Sequence, residues 1–95
     1  MGTTTTIEEV EFRVRSETPT KQLGAAIAHA IYDGKAVRIK AVGHGAIGQS
    51  GKAIAVAEGH AAKQALHLKT NFGFFTTQMP SGQEFCGLVM RVVRS

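Results

Sequence analysis

Between residues 36 and 61 the apolar pattern changes its period, and the change falls on Gly43-His44-Gly45. Before it, Val37, Ile39 and Ala41 alternate with Arg38 and Lys40, the two-residue period of a strand with one buried face. After it, Ala46, Ser50, Ala53, Ile54, Ala57 and Ala61 recur at helical spacing. A strand that feeds straight into a long helix has no room to return as a hairpin. It must be one step of an α/β layer, with the helix packed over the sheet.

The segment upstream repeats that step. Val10, Phe12 and Val14 alternate with Glu9, Glu11, Arg13 and Arg15, which predicts a first strand over 8–15. Thr18 is the expected helix cap and Pro19 the first helical residue, where its missing N–H costs nothing. Leu23, Ile27, Ala30 and Ile31 form one stripe, and Asp33-Gly34 closes a helix over 19–33, with Gly34 in the left-handed C′ position. Two strands joined by a helix make a βαβ unit, parallel and right-handed. The second helix is expected from 45 to 63 or 64. Gly48, Gly51 and Gly59 each cost it about 1 kcal/mol relative to alanine. Close packing on the small residues Gly24, Ala25 and Ala28 would offset this at Gly51 and Gly59; at Gly48, packing and the approach of a ligand are both open.

Two more strands follow, over 66–77 and 83–94, joined by the turn Gln78-Met79-Pro80-Ser81-Gly82. In the last strand Cys86, Leu88, Met90 and Val92 share one apolar face, so Cys86 is expected to be a small core residue. Phe85, Val89 and Val93 lie opposite, beside Arg91, with Phe75 joining them from the neighbouring strand. That second face reads either as a self-association surface or as scattered exposed apolar residues. The fold expected is α/β: a two-layer βαβαββ sandwich, with a four-stranded mixed sheet and both helices on one face. Residues 1–6, a polar Thr run, are expected to be a disordered tail before a single domain over 7–95.

Charge and cysteine usage narrow the setting. The formal net charge of +4 is a mild lean towards polyanions. The lone cysteine, Cys86, allows no intramolecular disulfide, which suits a reducing compartment. The N-terminus lacks the apolar region of a signal peptide, and no apolar run nears the roughly 20 residues of a membrane span. A cytoplasmic protein without a membrane partner is expected.

Gly43-His44-Gly45-Ala46-Ile47-Gly48 has the literal spacing G-x-G-x-x-G, yet it is no dinucleotide fingerprint. It sits in the second βα step, and the region about 20 residues on offers His67 and Lys69 instead of an acidic ribose ligand. The physics of the motif remains. Glycines permit close backbone approach, and bare N–H groups at a helix start attract an anion. Lys40, His44 and Lys52 add charge beside Gly43 and Gly45, and phosphate of a nucleic acid is the natural ligand. A tight strand-to-helix turn with no ligand reads the same glycines equally well. Arg13, Arg15, Arg38 and Lys40 form a second basic group, diluted by Glu9 and Glu11; it is either a solvated face or a further nucleic-acid surface. His29, His44, His60 and His67 have no ligand spacing, so neither a metal nor a cofactor is expected. Ser50 and Cys86 lack a visible base, and no carboxylate pair suggests acid–base work, so a non-enzyme is expected.

The run from Ile39 through Gly43-His44-Gly45-Ala46-Ile47-Gly48-Gln49 to Lys52-Ala53-Ile54-Ala55-Val56-Ala57 closely resembles the stage V sporulation protein S family. Ser16-Glu17-Thr18-Pro19-Thr20 with Leu23-Gly24-Ala25-Ala26-Ile27-Ala28 resembles that family's first loop and helix. The likeness spans about residues 8–94 and is looser in the final hairpin. That family in turn resembles the Alba proteins of archaeal chromatin and RNA binding, which share the βαβαββ fold and commonly dimerise. The resemblance implies a homodimer that binds nucleic acid, DNA or RNA, with a regulatory role in development such as sporulation. It also implies contacts from the first loop, where Lys21 stands at the helix start beside Glu17. Alba proteins carry arginines in the hairpin, but the tip here, Gln78 to Gln83, holds no lysine or arginine. Binding is therefore expected to be weak, salt-sensitive and not strongly sequence-specific. The candidate phosphate-binding residues are Lys21, Lys40, Gly43, His44, Gly45 and Lys52. The alternatives are a protein-interaction module docking through the apolar sheet face, and a small-anion sensor using the same glycine junction.

Overall fold

The computed structural model describes residues 8–95, so the expected tail over 1–6 lies outside the described residues. The elements run β1 (Glu9–Val14), α1 (Thr20–Tyr32), β2 (Ala36–Ala41), α2 (His44–Lys63), β3 (Leu68–Gln78) and β4 (Glu84–Arg94). The sheet order is β1-β2-β4-β3. Strands β1 and β2 pair in parallel, with Arg13 opposite Lys40; β4 runs antiparallel to both β2 and β3. The βαβαββ order and the mixed four-stranded sheet are those predicted by the changes of period.

Both helices cover one face. Ile27 and Ile31 of α1 and Ala53 and Ala57 of α2 close over Val37, Ile39, Met90 and Val92, all buried. The helices meet at Gly24, where an added Cβ would lie 2.5 Å from Val56 Cγ1 and 2.9 Å from the Ala53 carbonyl oxygen. Close packing was expected at Gly51 and Gly59 instead, and here the structure differs: a Cβ at either would meet nothing within 4 Å. Both are exposed.

The helix ends show where glycine matters. At the end of α1, Lys35 N–H donates to Ala30 O at 2.9 Å and Gly34 N–H to Ile31 O at 3.0 Å, with Gly34 at φ 79°. That is the paired bonding of a Schellman stop, as expected. The end of α2 repeats it, from Leu66 to Ala61 O at 2.9 Å and from Ala65 to Ala62 O at 3.0 Å, but the left-handed residue is Ala65, at φ 58°. An alanine there carries a steric cost that glycine avoids. Ala65→Gly is expected to stabilise the fold by about 1 kcal/mol, a gain of roughly 4–8 °C in Tm for a domain of this size. Gly59→Ala, in open space within the helix, is expected to act in the same direction by a similar amount. Thermal unfolding of each variant checks both.

The start of α1 also departs from expectation. Pro19, with extended φ and ψ, is the capping residue itself, and no side chain caps the helix. Thr18 Oγ1 instead accepts the Arg15 N–H at 2.8 Å and closes the β1–α1 loop. Cys86 is exposed and not a core residue. Its strand parity does point it to the helix side, but it lies beyond the end of the helical layer, beside Thr76 Oγ1 at 3.9 Å. Phe72 and Phe74, opposite Met90 and Leu88, stay 67% and 82% exposed because β3 is the edge strand, to the side of the helical layer.

Candidate functional site

Strands β1 and β2 end side by side, and the chain leaves them in opposite ways. After Val14 it enters a loop; after Ala41 it turns into α2 through Gly43, at φ 89° and ψ 157°. Glycine is required there, because other residues rarely adopt that conformation. The first helical bond of α2 runs from Ile47 N–H to Gly43 O at 3.0 Å, and no side chain caps the helix. The amides of His44, Gly45 and Ala46 therefore precede the helical ladder, at the positive end of the helix dipole.

The β1–α1 loop is pressed onto this helix start. A Cβ at Gly45 would lie 2.7 Å from Ser16 Cβ, and Gln49 Nε2 donates to Thr18 O at 2.8 Å. Between the strand ends, the loop and the hairpin lies a cleft of ≈ 840 Å³. Arg13, Arg15 and Lys40 line it together with Gly43 and Gly45, and Phe75 and Phe85 close the far side. Ligands of open α/β sheets settle at such a crevice, outside the carboxyl ends of parallel strands.

Three of the residues expected from sequence, Lys40, Gly43 and Gly45, thus share one cleft. The structure does not place Lys21, His44 or Lys52 on its lining: His44 is the exposed first residue of α2, Lys52 is exposed two turns further on, and Lys21 is exposed in the first turn of α1. Arg13 and Arg15, read as part of a separate basic group, belong to the same cleft as the glycine junction. The parallel register that sets Arg13 beside Lys40 joins the two.

Charges on the open sheet face are partly neutralised in pairs. Glu11 Oε1 lies 3.5 Å from Lys40 Nζ, and its Oε2 lies 3.6 Å from Arg13 Nε. Glu9 Oε2 accepts Arg91 Nε–H at 2.7 Å, and its Oε1 lies 3.1 Å from Arg38 Nη2. Each carboxylate is shared by two cations, so each cluster keeps one excess positive charge. Arg15 has no ion-pair partner among the described residues. Lys40 Nζ also sits 5.3 Å above the centre of the Phe75 ring. The Arg91 hydrogen bond, aided by the Arg38 charge, holds the Glu9 carboxyl below its ordinary value.

A pH dependence follows. A lowered folded-state pKa means that the Glu9 pairing adds to stability above the unfolded-state value, and that this contribution is lost as pH falls through the folded value. Glu9→Gln is therefore expected to unfold at a slightly lower temperature than wild type near neutral pH. The two should converge as the solution is acidified below the ordinary glutamate range. The effect is small because the pair is solvent-accessible, and parallel melting curves across that acidic range check it.

The fold defines an Alba-type α/β domain. The structure of Alba from Thermoplasma volcanium superposes with a TM-score of 0.55 over 90% of this chain and 99% of that one, at 20% sequence identity. The family is more specific still: stage V sporulation protein S (SpoVS) matches residues 10–95, and the chain belongs to that family. A comparison with curated protein sequences gave no match.

Proposed function

We propose that this protein is a nucleic-acid-binding regulatory protein of the stage V sporulation protein S family. In this reading it holds phosphates of DNA or RNA at the β2–α2 junction. One observation carries it: Arg13, Arg15 and Lys40 converge with the bare amides of a helix start on one cleft. Cations and oriented N–H groups are the two devices by which proteins hold phosphate. Alba-type architecture and family membership agree with it. Lys21, His44 and Lys52 stand outside the cleft and serve as outlying contacts at most, reached only by a ligand longer than one phosphate. Without a basic hairpin arm, binding is weak and not strongly sequence-specific.

The protein works without catalysis in this reading. The Ser50 hydroxyl is buried and donates to Ala46 O at 2.8 Å, and Cys86 faces Thr76 rather than a base. It acts in the cytoplasm, and no helix among the described residues is long and apolar enough to cross a membrane. It acts as a homodimer. The exposed Phe72 and Phe74 mark the self-association surface on the helix side of β3, not on the open face, where Arg38, Arg91 and Glu9 interpose. Sedimentation equilibrium tests this: a particle of 10.1 kDa at every concentration would overturn the dimer.

The test of binding is fluorescence anisotropy of labelled DNA and RNA over a salt series. Phosphate-driven binding gives log affinity falling linearly with log salt. No binding at low salt, or binding indifferent to salt, would overturn the reading.

A further inference from the structure

The open sheet face carries a second depression beside the first. It measures ≈ 380 Å³ and is lined by Arg38, Arg91, Val89 and the β3 run Asn71-Phe72-Gly73. Lys40 and Phe75 line both depressions. The two therefore form one track across the face, with the Phe75 ring and its attendant ammonium group between them.

We infer that this track takes a single-stranded nucleic acid, with Phe75 as a stacking platform for an unpaired base. The inference rests on the nucleic-acid reading above and adds the strandedness of the ligand and the path it follows.

Three features carry it. The first is the platform. Phe75 is partly exposed yet held, because its ring occupies the space over Gly87: a Cβ there would lie 2.4 Å from the ring atoms Cε1 and Cζ. A ring fixed in advance loses little freedom on stacking. The second is the space beside it. Gly73 puts no side chain on the open face, and a Cβ there would already touch Val89 Cγ1 at 3.4 Å. This leaves an apolar depression next to the ring, with the Asn71 amide at its edge to donate to and accept from a base. The third is the charge. Cations flank the ring along the whole track, with Arg13, Arg15 and Lys40 at one end and Arg38 and Arg91 at the other. Glu9 and Glu11 each hold two of these cations and leave a net positive face on which a backbone can run.

A basic groove interleaved with an aromatic platform is the arrangement that binds single strands. A duplex makes no use of it, because its bases are already stacked on one another and present only their edges. Strand pairing sets Phe72 and Phe74 opposite Met90 and Leu88 on the helix side; Phe72 borders the second depression, while Phe74 lies clear of the track, so self-association centred on Phe74 leaves it open.

The test compares a labelled oligo-dT or oligo-U of about 12 nucleotides with a duplex of similar charge, against wild type and Phe75→Leu. Leucine keeps an apolar cover on Gly87 but cannot stack. Wild type is expected to bind the single strand more tightly than the duplex. Phe75→Leu is expected to lose about tenfold in single-strand affinity, within the range of one base–aromatic stack, and clearly less on the duplex. Equal losses on both ligands, or no loss on the single strand, would overturn the inference. Binding of duplex alone would also overturn it and leave the nucleic-acid reading intact; binding of neither would remove both. A readout on wild type guards against a misfolded variant. Amide resonances of Gly73, Phe75, Gly87 and Val89 are expected to shift when the oligonucleotide is added, and shifts confined to the helix side would overturn the inference.

Discussion

Arg15→Ala combined with Lys40→Ala is expected to lower nucleic-acid affinity about 30- to 100-fold at low salt and to flatten the salt dependence by about two phosphate contacts. The pair is chosen by geometry. Both side chains line the cleft at the start of α2; Arg15 approaches it from the loop just after β1 and Lys40 from β2. Arg15 has no carboxylate partner among the described residues, so its whole charge faces the ligand. Lys40 shares Glu11 with Arg13, and its removal leaves Arg13 to neutralise that carboxylate. Each substitution thus removes one unit of net positive charge from the cleft. Lys21→Ala combined with Lys52→Ala is the control: it carries the same charge change but lies outside the cleft, and it should cost no more than about threefold. Both are read by anisotropy titration at several salt concentrations. Equal losses for the Lys21/Lys52 and Arg15/Lys40 double variants would mean that general charge, and not the cleft, drives binding.

Much of this architecture could be read from periodicity, and the misses have physical causes. Both helical stripes and all four strands were legible because each apolar face repeats with one clear period. Gly34 marked the end of α1 because a glycine stood where φ had to be positive. The end of α2 was vaguer because Ala65 takes that role without a glycine to announce it. Cys86 misled because alternation gives the side of a sheet and not the length of the layer covering it. Strand β3 hid its exposed aromatics in a similar way. Phe74 and Phe75 are adjacent in sequence and fall on opposite faces; Phe75 takes the expected second face, and Phe74, with Phe72, falls on the helix side at an edge that no helix covers. The glycine junction was visible as a motif. Its union with Arg13 and Arg15 was not, because that depends on parallel pairing of two strands separated by a helix. The track through Phe75 needs the strand order β1-β2-β4-β3, which places the last strand in the interior of the sheet and the third at its edge.

The largest stability effect is expected at Gly24. An alanine in mid-helix normally adds about 1 kcal/mol over glycine. At this position its Cβ would lie 2.5 Å from Val56 Cγ1, 2.6 Å from Val56 Cβ and 2.9 Å from the Ala53 carbonyl oxygen. Helices α1 and α2 would have to move apart, and with them the cover over Val37 and Ile39. Overpacking of a close contact costs about 1–3 kcal/mol for each small increment, so Gly24→Ala should lose about 1–2 kcal/mol net and Gly24→Val about 3–4 kcal/mol. For a domain of this size the valine variant should melt roughly 15–25 °C lower. Against a total stability of about 5–15 kcal/mol, it would be close to unfolding at body temperature. The contact has two parts, and a double-mutant cycle separates them. Val56→Ala removes the side-chain clash and leaves the Ala53 carbonyl in place. Gly24→Ala with Val56→Ala should therefore recover only part of the loss, with a coupling of about 1 kcal/mol. Full additivity would show that Val56 is not what the new methyl meets. A Gly24→Ala protein more stable than wild type would show that the helices pack less closely here than the structure has them.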